Sequence, residues 1–193
     1  MSRIANPTCW ISVHNTEGFE PGKPLWTDPR PGYCVTAIGL NDDGTHLVVA
    51  SLSGARAVEL EVINIETRKR IQLPGLEQFV SAVEFSPDGS RLAAATEQGP
   101  GAIFDCETGE LLARLSSPGG VEDLAWNPDG TRLAGANRDV VTLWDSEGHD
   151  LITLKSDPRT GDVQWDPRVT FSPDGKLIAA TQWNDKIRVW TSQ

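Results

Sequence analysis

The sequence predicts an all-β fold made of one repeated unit, and three observations lead to this prediction. The same turn motif occurs four times, as LNDDGTHL, FSPDGSRL, WNPDGTRL and FSPDGKLI beginning at residues 40, 85, 126 and 171. The Asp-Gly pairs of these motifs are 45, 41 and 45 residues apart. Apolar stretches flank every turn, and no convincing helical pattern interrupts them. A period in the low forties with four short strands per unit is typical of a β-propeller blade.

Each turn motif joins two predicted strands. Asp-Gly supplies the backbone freedom of a tight hairpin turn, and a preceding proline fixes one dihedral angle. The strands before the turns are VTAIGL, VSAVEF, VEDLAW and RVTF, and those after them are HLVVAS, RLAAAT, RLAGAN and KLIAAT. The second strands are small and apolar almost without alternation, which is typical of a sheet covered on both faces. A two-sheet sandwich is the alternative, but a sandwich would not require a regular period.

A third and a fourth strand complete most of the units. The third strands are VELEVIN, AIFD, VVTLWD and KIRVWT, and the fourth strands are RKRIQL, ELLARL and DLITLK. Near the N-terminus, CWISVHNTEG (9–18) matches a third strand with its turn, and KPLWTD (23–28) matches a fourth strand. We therefore predict a single domain over residues 1–193. Its units are about 9–32 (partial), 33–78, 79–120, 121–168 and 169–193 (partial).

On these residues the chain resembles the WD-repeat β-propeller family over most of residues 9–193. The matching third-strand ends are Trp144-Asp145, Phe104-Asp105, Ile63-Asn64 and Trp190-Thr191. Asp139 and Asp185 each lie five residues before a tryptophan, as the tight-turn aspartate of the family does. No Gly-His dipeptide precedes any first strand. We therefore expect the family's His–Ser/Thr–Trp–Asp hydrogen-bond network to be incomplete in every unit.

The resemblance implies a non-catalytic protein–protein interaction scaffold of about four blades. Four blades is the low limit for a propeller ring, and three outcomes are open. The chain closes alone, with residues 23–28 completing the last blade; or two chains form a homodimer that completes an eight-bladed ring; or the chain is part of a longer protein. We favour the second or the third outcome, because a fourth strand is missing at one end and spare at the other.

Composition narrows the class of partner. The net charge is −10, and basic residues are scattered singly apart from Arg68-Lys69-Arg70. This charge speaks against nucleic acid, because phosphate contacts need a basic face. The three cysteines are Cys9, Cys34 and Cys106, with no zinc-binding spacing, so we expect reduced thiols in a cytoplasmic protein. We expect no signal peptide, no membrane partner, no metal and no cofactor.

The sequence offers little for catalysis. It has no GxSxG motif, and its three histidines lie in different units. Each of the four turn motifs contains one aspartate before its glycine, and a role in the turn already accounts for it. These residues are Asp43, Asp88, Asp129 and Asp174. We therefore expect a protein that is not an enzyme. A ligand-binding or catalytic propeller with a site at the mouth of the channel is the alternative.

The connections between units offer a candidate partner-binding site. Asp-Pro-Arg occurs at 28–30, 157–159 and 166–168, where we expect a turn that either links blades or presents an arginine to a partner. By resemblance to the family, the loop 156–168 and the loops between second and third strands lie on the same face. Tryptophan and arginine often anchor protein interfaces. The predicted partner-binding patch contains Asn137, Arg138, Trp165, Arg168, Trp183 and Asn184.

Overall fold

The computed structural model describes residues 8–14, 24–53, 57–155, 166–182 and 186–192, which contain strands and no helix. Nothing in these ranges has the length and apolar character of a membrane-spanning helix. The strands are β1 (Thr8–Val13), β2 (Trp26–Pro31), β3 (Tyr33–Leu40), β4 (His46–Ser53), β5 (Val58–Asn64), β6 (Arg70–Gln72), β7 (Val80–Phe85), β8 (Arg91–Thr96), β9 (Gly101–Asp105), β10 (Leu111–Leu115), β11 (Asp123–Trp126), β12 (Arg132–Ala136), β13 (Val140–Asp145), β14 (Asp150–Lys155), β15 (Val169–Phe171), β16 (Leu177–Gln182) and β17 (Lys186–Thr191).

The strands form five antiparallel sheets in chain order. Three sheets have four strands each: blade 1 (β3–β6), blade 2 (β7–β10) and blade 3 (β11–β14). Blade 4 has three described strands, β15–β17, and an N-terminal sheet has two, β1–β2. The first strands contact one another in sequence, β3 with β7, β7 with β11 and β11 with β15, so they lie innermost. The prediction of an all-β fold built from repeated antiparallel blades is confirmed.

The cores lie between successive blades, which explains the continuous apolar second strands. Along β8, Ala94 packs toward blade 1, whereas Ala93 and Ala95 pack toward blade 3. Both sides of β12 are buried in the same way, with Leu133 facing blade 2 and Ala134 facing blade 4. A strand buried on both faces gains nothing from alternating polar residues. The two-sheet sandwich is thereby excluded.

The four Asp-Gly turns share one conformation and stack along one rim. Their glycines, Gly44, Gly89, Gly130 and Gly175, all have φ between +69° and +71°. In blade 2, Asp88 accepts hydrogen bonds from the Ser86 hydroxyl at 2.6 Å and the Ser90 amide at 3.0 Å. These bonds, the Ser86 bond foremost, hold the pKa of Asp88 below its ordinary value. The turn aspartates therefore have the structural role that the sequence predicted.

The N-terminal sheet excludes one of the three open outcomes and differs from one expectation. The predicted fourth strand lies at Trp26–Pro31 and pairs with β1, as the third and fourth strands of one unit do, so within one copy residues 24–28 do not complete blade 4. Asp28-Pro29-Arg30 lies inside this extended strand, so the turn expected there is wrong. The reason is an ion-pair cluster: Arg30 bonds to Asp28 and to the buried Glu61 of β5. A buried carboxylate such as Glu61 requires a cationic partner, and Arg30 of the extended strand β2 supplies it.

The tryptophan of the best-matching repeat lacks its usual partner. Trp144 is fully buried, and its Nε1 has no hydrogen-bond partner among the described residues. The ring lies against Gly135 of β12, where an added Cβ would come within 2.6 Å of Cζ3. Blade 3 therefore lacks part of the His–Ser/Thr–Trp–Asp network, as the missing Gly-His dipeptide led us to expect. Packing rather than hydrogen bonding holds the indole of Trp144.

Candidate functional site

The loop between β12 and β13 is tied to the loop that precedes blade 3. The Asn137 side chain donates to the carbonyls of Pro118 at 2.6 Å and Gly120 at 2.8 Å. Its Oδ1 accepts the amides of Asp139 and Val140, both at 2.9 Å. The loop 116–122 before blade 3 and the loop 137–139 between β12 and β13 therefore lie on one face, here called the loop face. Asn137 is only 6% exposed, so its role is to hold the loop that carries Arg138.

Two arginines of the predicted patch lie on the loop face, each beside a carboxylate. Arg138 Nε lies 3.3 Å from Glu122 Oε1, and Arg168 Nη1 lies 3.6 Å from Asp123 Oδ1. Glu122 directly precedes β11 and Asp123 begins it, so two consecutive residues hold one arginine each from blades 3 and 4. The side chains of Arg138 and Arg168 are 39% and 66% exposed. Arg138 Nε itself is buried and has no hydrogen-bond partner among the described residues, so Arg168 is the more accessible of the two side chains.

Main-chain bonds fix the position of Arg168. Its amide donates to Thr181 Oγ1 at 2.8 Å, and the Thr181 amide donates back to its carbonyl at 2.9 Å. The next amide, that of Val169, donates to Asp123 Oδ2 at 2.8 Å. Asp123 therefore joins blade 3 to blade 4 and also orients the Arg168 side chain.

The carboxyl groups beside the arginines are partly desolvated. Burial is the largest cause that raises the pKa of Glu122, with Glu97 and Asp166 adding to it and Arg138 opposing it. Burial also raises the pKa of Asp123, against the Val169 amide and Arg168. The loop face thus combines two exposed cations with an acidic surround. Such a surface suits directed polar contacts with a protein.

Three residues of the predicted patch, Trp165, Trp183 and Asn184, lie outside the described residues. Their contribution to the patch stays a prediction. The first Asp-Pro-Arg motif is better defined: Arg30 is buried against Glu61 and is not available to a partner. Trp26 packs with Ile11 in the core between the N-terminal sheet and blade 1.

Glu84, a carboxylate on the inner strand β7, is not among the residues that the sequence predicted for a site. Glu84 of β7 accepts the Trp126 amide of β11 at 2.9 Å, and its own carbonyl accepts Trp126 Nε1 at 3.3 Å. Burial raises the pKa of Glu84 to about 7, and Asp123 and Asp42 add to the effect. The available signal was a single charged residue in the inner strand VSAVEF. Its geometry is that of a link between blades.

One group of residues has the spacing of metal ligands. Side-chain atoms of Asp145, Glu147 and His149 lie within 4.8 Å of one another on an exposed turn. However, Asp145 Oδ1 accepts the amides of Glu147 and His149, both at 2.9 Å, and Oδ2 contacts the imidazole. These bonds are accounted for by the turn that closes blade 3.

Comparison with known proteins agrees with this architecture. The family model described as "WD domain, G-beta repeat" matches residues 109–145 and 162–191. Small ribosomal subunit protein RACK1y of Oryza sativa subsp. japonica is 29% identical over 143 residues, which cover 72% of this chain and 43% of that protein. WD repeat-containing protein 1 of Bos taurus is 40% identical over 80 residues, or 39% of this chain and 13% of that protein.

Actin-interacting protein 1 of Drosophila melanogaster is 39% identical over 80 residues, again 39% of this chain and 13% of that protein. The chain therefore spans less than half the length of these relatives. The matched repeats include the strands that carry Trp144 and Trp190. Residues 109–145 and 162–191 thus match WD repeats, and the resemblance to the WD-repeat family that the turn motifs predicted is confirmed.

Proposed function

We propose that this chain is a non-catalytic protein–protein interaction scaffold that binds partners through its loop face. The observation that carries the proposal is that two exposed arginines from different blades, Arg138 and Arg168, pair with the consecutive carboxylates Glu122 and Asp123. Arginine is among the residues that most often dominate binding energy at interfaces. The proposed patch also includes Trp165, Trp183 and Asn184, with Asn137 as the support of one loop.

A catalytic or ligand-binding site at the mouth of the channel is the less favoured function. The inner-strand carboxylates Glu84 and Asp123 each accept an amide of the next blade, at 2.9 Å and 2.8 Å. These bonds give both groups a structural role. Stabilisation by metal ions or small molecules in a thermal-shift panel would favour the ligand-binding function instead.

The double variant Arg138→Ala/Arg168→Ala tests the loop face. We expect it to lose specific protein capture in pull-downs from the native host, with at least about a tenfold loss if both arginines are anchors. Lys69→Ala/Lys176→Ala removes the same charge from exposed residues elsewhere and is the matched control. Unfolding temperatures of both variants should stay near that of the wild type. Unchanged capture by the double arginine variant would exclude the patch.

We further propose other proteins or peptides as partners, in the cytoplasm. Relatives carry names that refer to a ribosomal subunit, which contains protein, and to actin, which is a protein. The three cysteines are free thiols, as in a reducing compartment. The net charge of −10 favours protein over nucleic acid.

The two ends of the row of blades expose apolar surface. At one end Ile38 and Leu40 of β3 are 63% and 60% exposed, and at the other Ile187 and Val189 of β17 are 70% and 58% exposed. A groove of about 810 Å³ runs beside the first pair. We propose that further blades cover these ends, supplied either by a second copy that completes an eight-bladed ring or by a longer chain. Light scattering that shows a folded, strictly monomeric chain would exclude the ring of two copies.

A further inference from the structure

The turn that closes blade 3 differs from the corresponding turn of blade 2 by a histidine. Both turns begin with an aspartate that is followed two residues later by a glutamate. These pairs are Asp105 and Glu107 in blade 2 and Asp145 and Glu147 in blade 3. In blade 2 the Thr108 hydroxyl donates to the first carboxylate at 2.8 Å. In blade 3 the turn is one residue shorter and ends in His149, so the imidazole is particular to this blade.

The imidazole lies close to both carboxylates of its turn. His149 Nδ1 is 2.9 Å from Asp145 Oδ2 and 3.9 Å from Glu147 Oε2. One ligand atom from each of the three side chains lies within 4.8 Å of the other two. Ligands that bind a tetrahedral zinc ion at about 2.1 Å lie about 3.4 Å from one another. The two distances from Nδ1 lie on either side of this value, so small side-chain rotations bring all three groups onto one ion.

The main chain of the turn is held in place from two sides. The Asp145 amide donates to the His149 carbonyl at 3.0 Å, and Arg91 of blade 2 donates to a carbonyl of the turn. Gly148 lies against β10 of blade 2, where an added Cβ would come within 2.5 Å of the Ala113 Cβ. Because the main chain is already ordered, binding an ion here requires the ordering of side chains only.

The mixed set of ligands determines the class of ion. Sites made of carboxylates alone suit Ca²⁺ and Mg²⁺, whereas an imidazole nitrogen suits Zn²⁺, Cu²⁺ and Ni²⁺. We propose that Asp145 Oδ2, Glu147 Oε2 and His149 Nδ1 form a binding site for one divalent transition-metal ion such as Zn²⁺. Three protein ligands leave the remaining coordination to water. The expectation that the chain binds no metal rests on the spacing of its cysteines, which has no bearing on this turn.

A bound ion fixes a turn that joins blade 3 to blade 2. The ion replaces the contact between His149 Nδ1 and Asp145 Oδ2, and the ring proton then lies on Nε2. Because the folded turn brings the ligands together, Zn²⁺ binding stabilises the folded chain. Three ligands on an exposed turn bind more weakly than a closed site with four ligands, so we expect a dissociation constant in the micromolar range.

Calorimetric titration of the whole chain with Zn²⁺ tests the site. Zn²⁺ also binds accessible thiols, so the titrations use a Cys9→Ser/Cys34→Ser background. We expect one Zn²⁺ per chain, and His149→Gln should weaken its binding by at least about tenfold. Glu147→Gln should also weaken the binding. Glu107→Gln, at the same place in the turn of blade 2, is the matched control and should leave Zn²⁺ binding unchanged.

Thermal unfolding with Zn²⁺ separates this site from one at the mouth of the channel. Zn²⁺ should raise the unfolding temperature of the wild type and not that of His149→Gln. Equal stabilisation of this variant would place the ion elsewhere and overturn the proposal. Absence of saturable Zn²⁺ binding, or Ca²⁺ binding as tight as that of Zn²⁺, would also overturn it. The loop face lies at the other end of β13, so none of these results bears on it.

Discussion

Replacing Glu84 by glutamine should stabilise the protein at alkaline pH, although the substitution removes a hydrogen-bonded carboxylate. Burial raises the pKa of Glu84 from 4.5 to about 7. The folded protein therefore binds this proton more tightly than the unfolded chain does. The neutral carboxyl group stabilises the fold fully below pH 4.5, and this contribution is lost as the pH rises through about 7.

The difference between the two pKa values sets an upper limit on the effect. A difference of one pKa unit corresponds to about 1.4 kcal/mol, so the limit on the free energy is about 3 kcal/mol. The partial exposure of Glu84 lowers this limit. Glutamine can still accept the Trp126 amide, which the carboxylate accepts at 2.9 Å. It carries no charge to desolvate. The expected gain in the free energy of unfolding at about pH 8 is therefore about 1–3 kcal/mol.

Urea unfolding at a series of pH values measures this gain. The wild-type free energy of unfolding should fall between about pH 5 and pH 8, and this part of the fall should be absent in Glu84→Gln. Glu66→Gln, at an exposed turn, is the control for the change in net charge. The reasoning is refuted if Glu84→Gln is no more stable than the wild type at about pH 8 while the control is unchanged.

Two further predictions concern a tight packing contact and a buried ion pair. Gly135→Ala should destabilise the protein by about 1–3 kcal/mol, because the new Cβ lies 2.6 Å from the Trp144 ring. In urea unfolding, adding Trp144→Phe should recover part of this loss, and a purely additive loss would argue against the contact. Arg30→Met should cost about 3–5 kcal/mol by leaving Glu61 short of a partner, and a loss below about 1 kcal/mol would show that Arg70 compensates for it.

The period of the turns predicted the strands well, because the pattern of the hairpins is local. Six predicted strands match the observed bounds: VSAVEF, RLAAAT, VELEVIN, VVTLWD, DLITLK and KIRVWT. Strand β11 begins two residues later than predicted, since the Val121 amide donates to the Thr96 carbonyl of blade 2 instead of joining its own sheet. Contacts between blades of this kind depend on distant residues and have no local signature.

Contacts between distant residues also limited what the sequence could predict about the candidate site. The sequence predicted that Arg138 and Arg168 share a face, because the loop types of the repeat are equivalent from blade to blade. It did not predict Glu122 and Asp123 as the groups that hold them, because these residues read as part of an inner strand. Nor did it predict that Arg30 is buried, since its partner Glu61 is 31 residues away in the sequence.

Packing against a neighbouring side chain explains why residue 135 is a glycine. Gly135 of blade 3 and Ala94 of blade 2 occupy equivalent places in their second strands. Gly135 faces the ring of Trp144, whereas Ala94 packs in a core with the smaller Phe104. Both aromatic residues are fully buried, so the larger ring requires the smaller neighbour. The glycine is therefore a packing requirement of the tryptophan.

The links between inner strands also decide which variants can probe the loop face. Asp123 accepts the Val169 amide, which joins blades 3 and 4, and it also lies beside Arg168. Replacing Asp123 would leave a partly buried amide without its acceptor, so lost partner binding in that variant would not be separable from lost cohesion. Replacing Arg168 leaves the amide bond intact and removes only the exposed guanidinium. A partner that binds the loop face should therefore respond to Arg168→Ala at unchanged stability, whereas Asp123→Ala should lower both together.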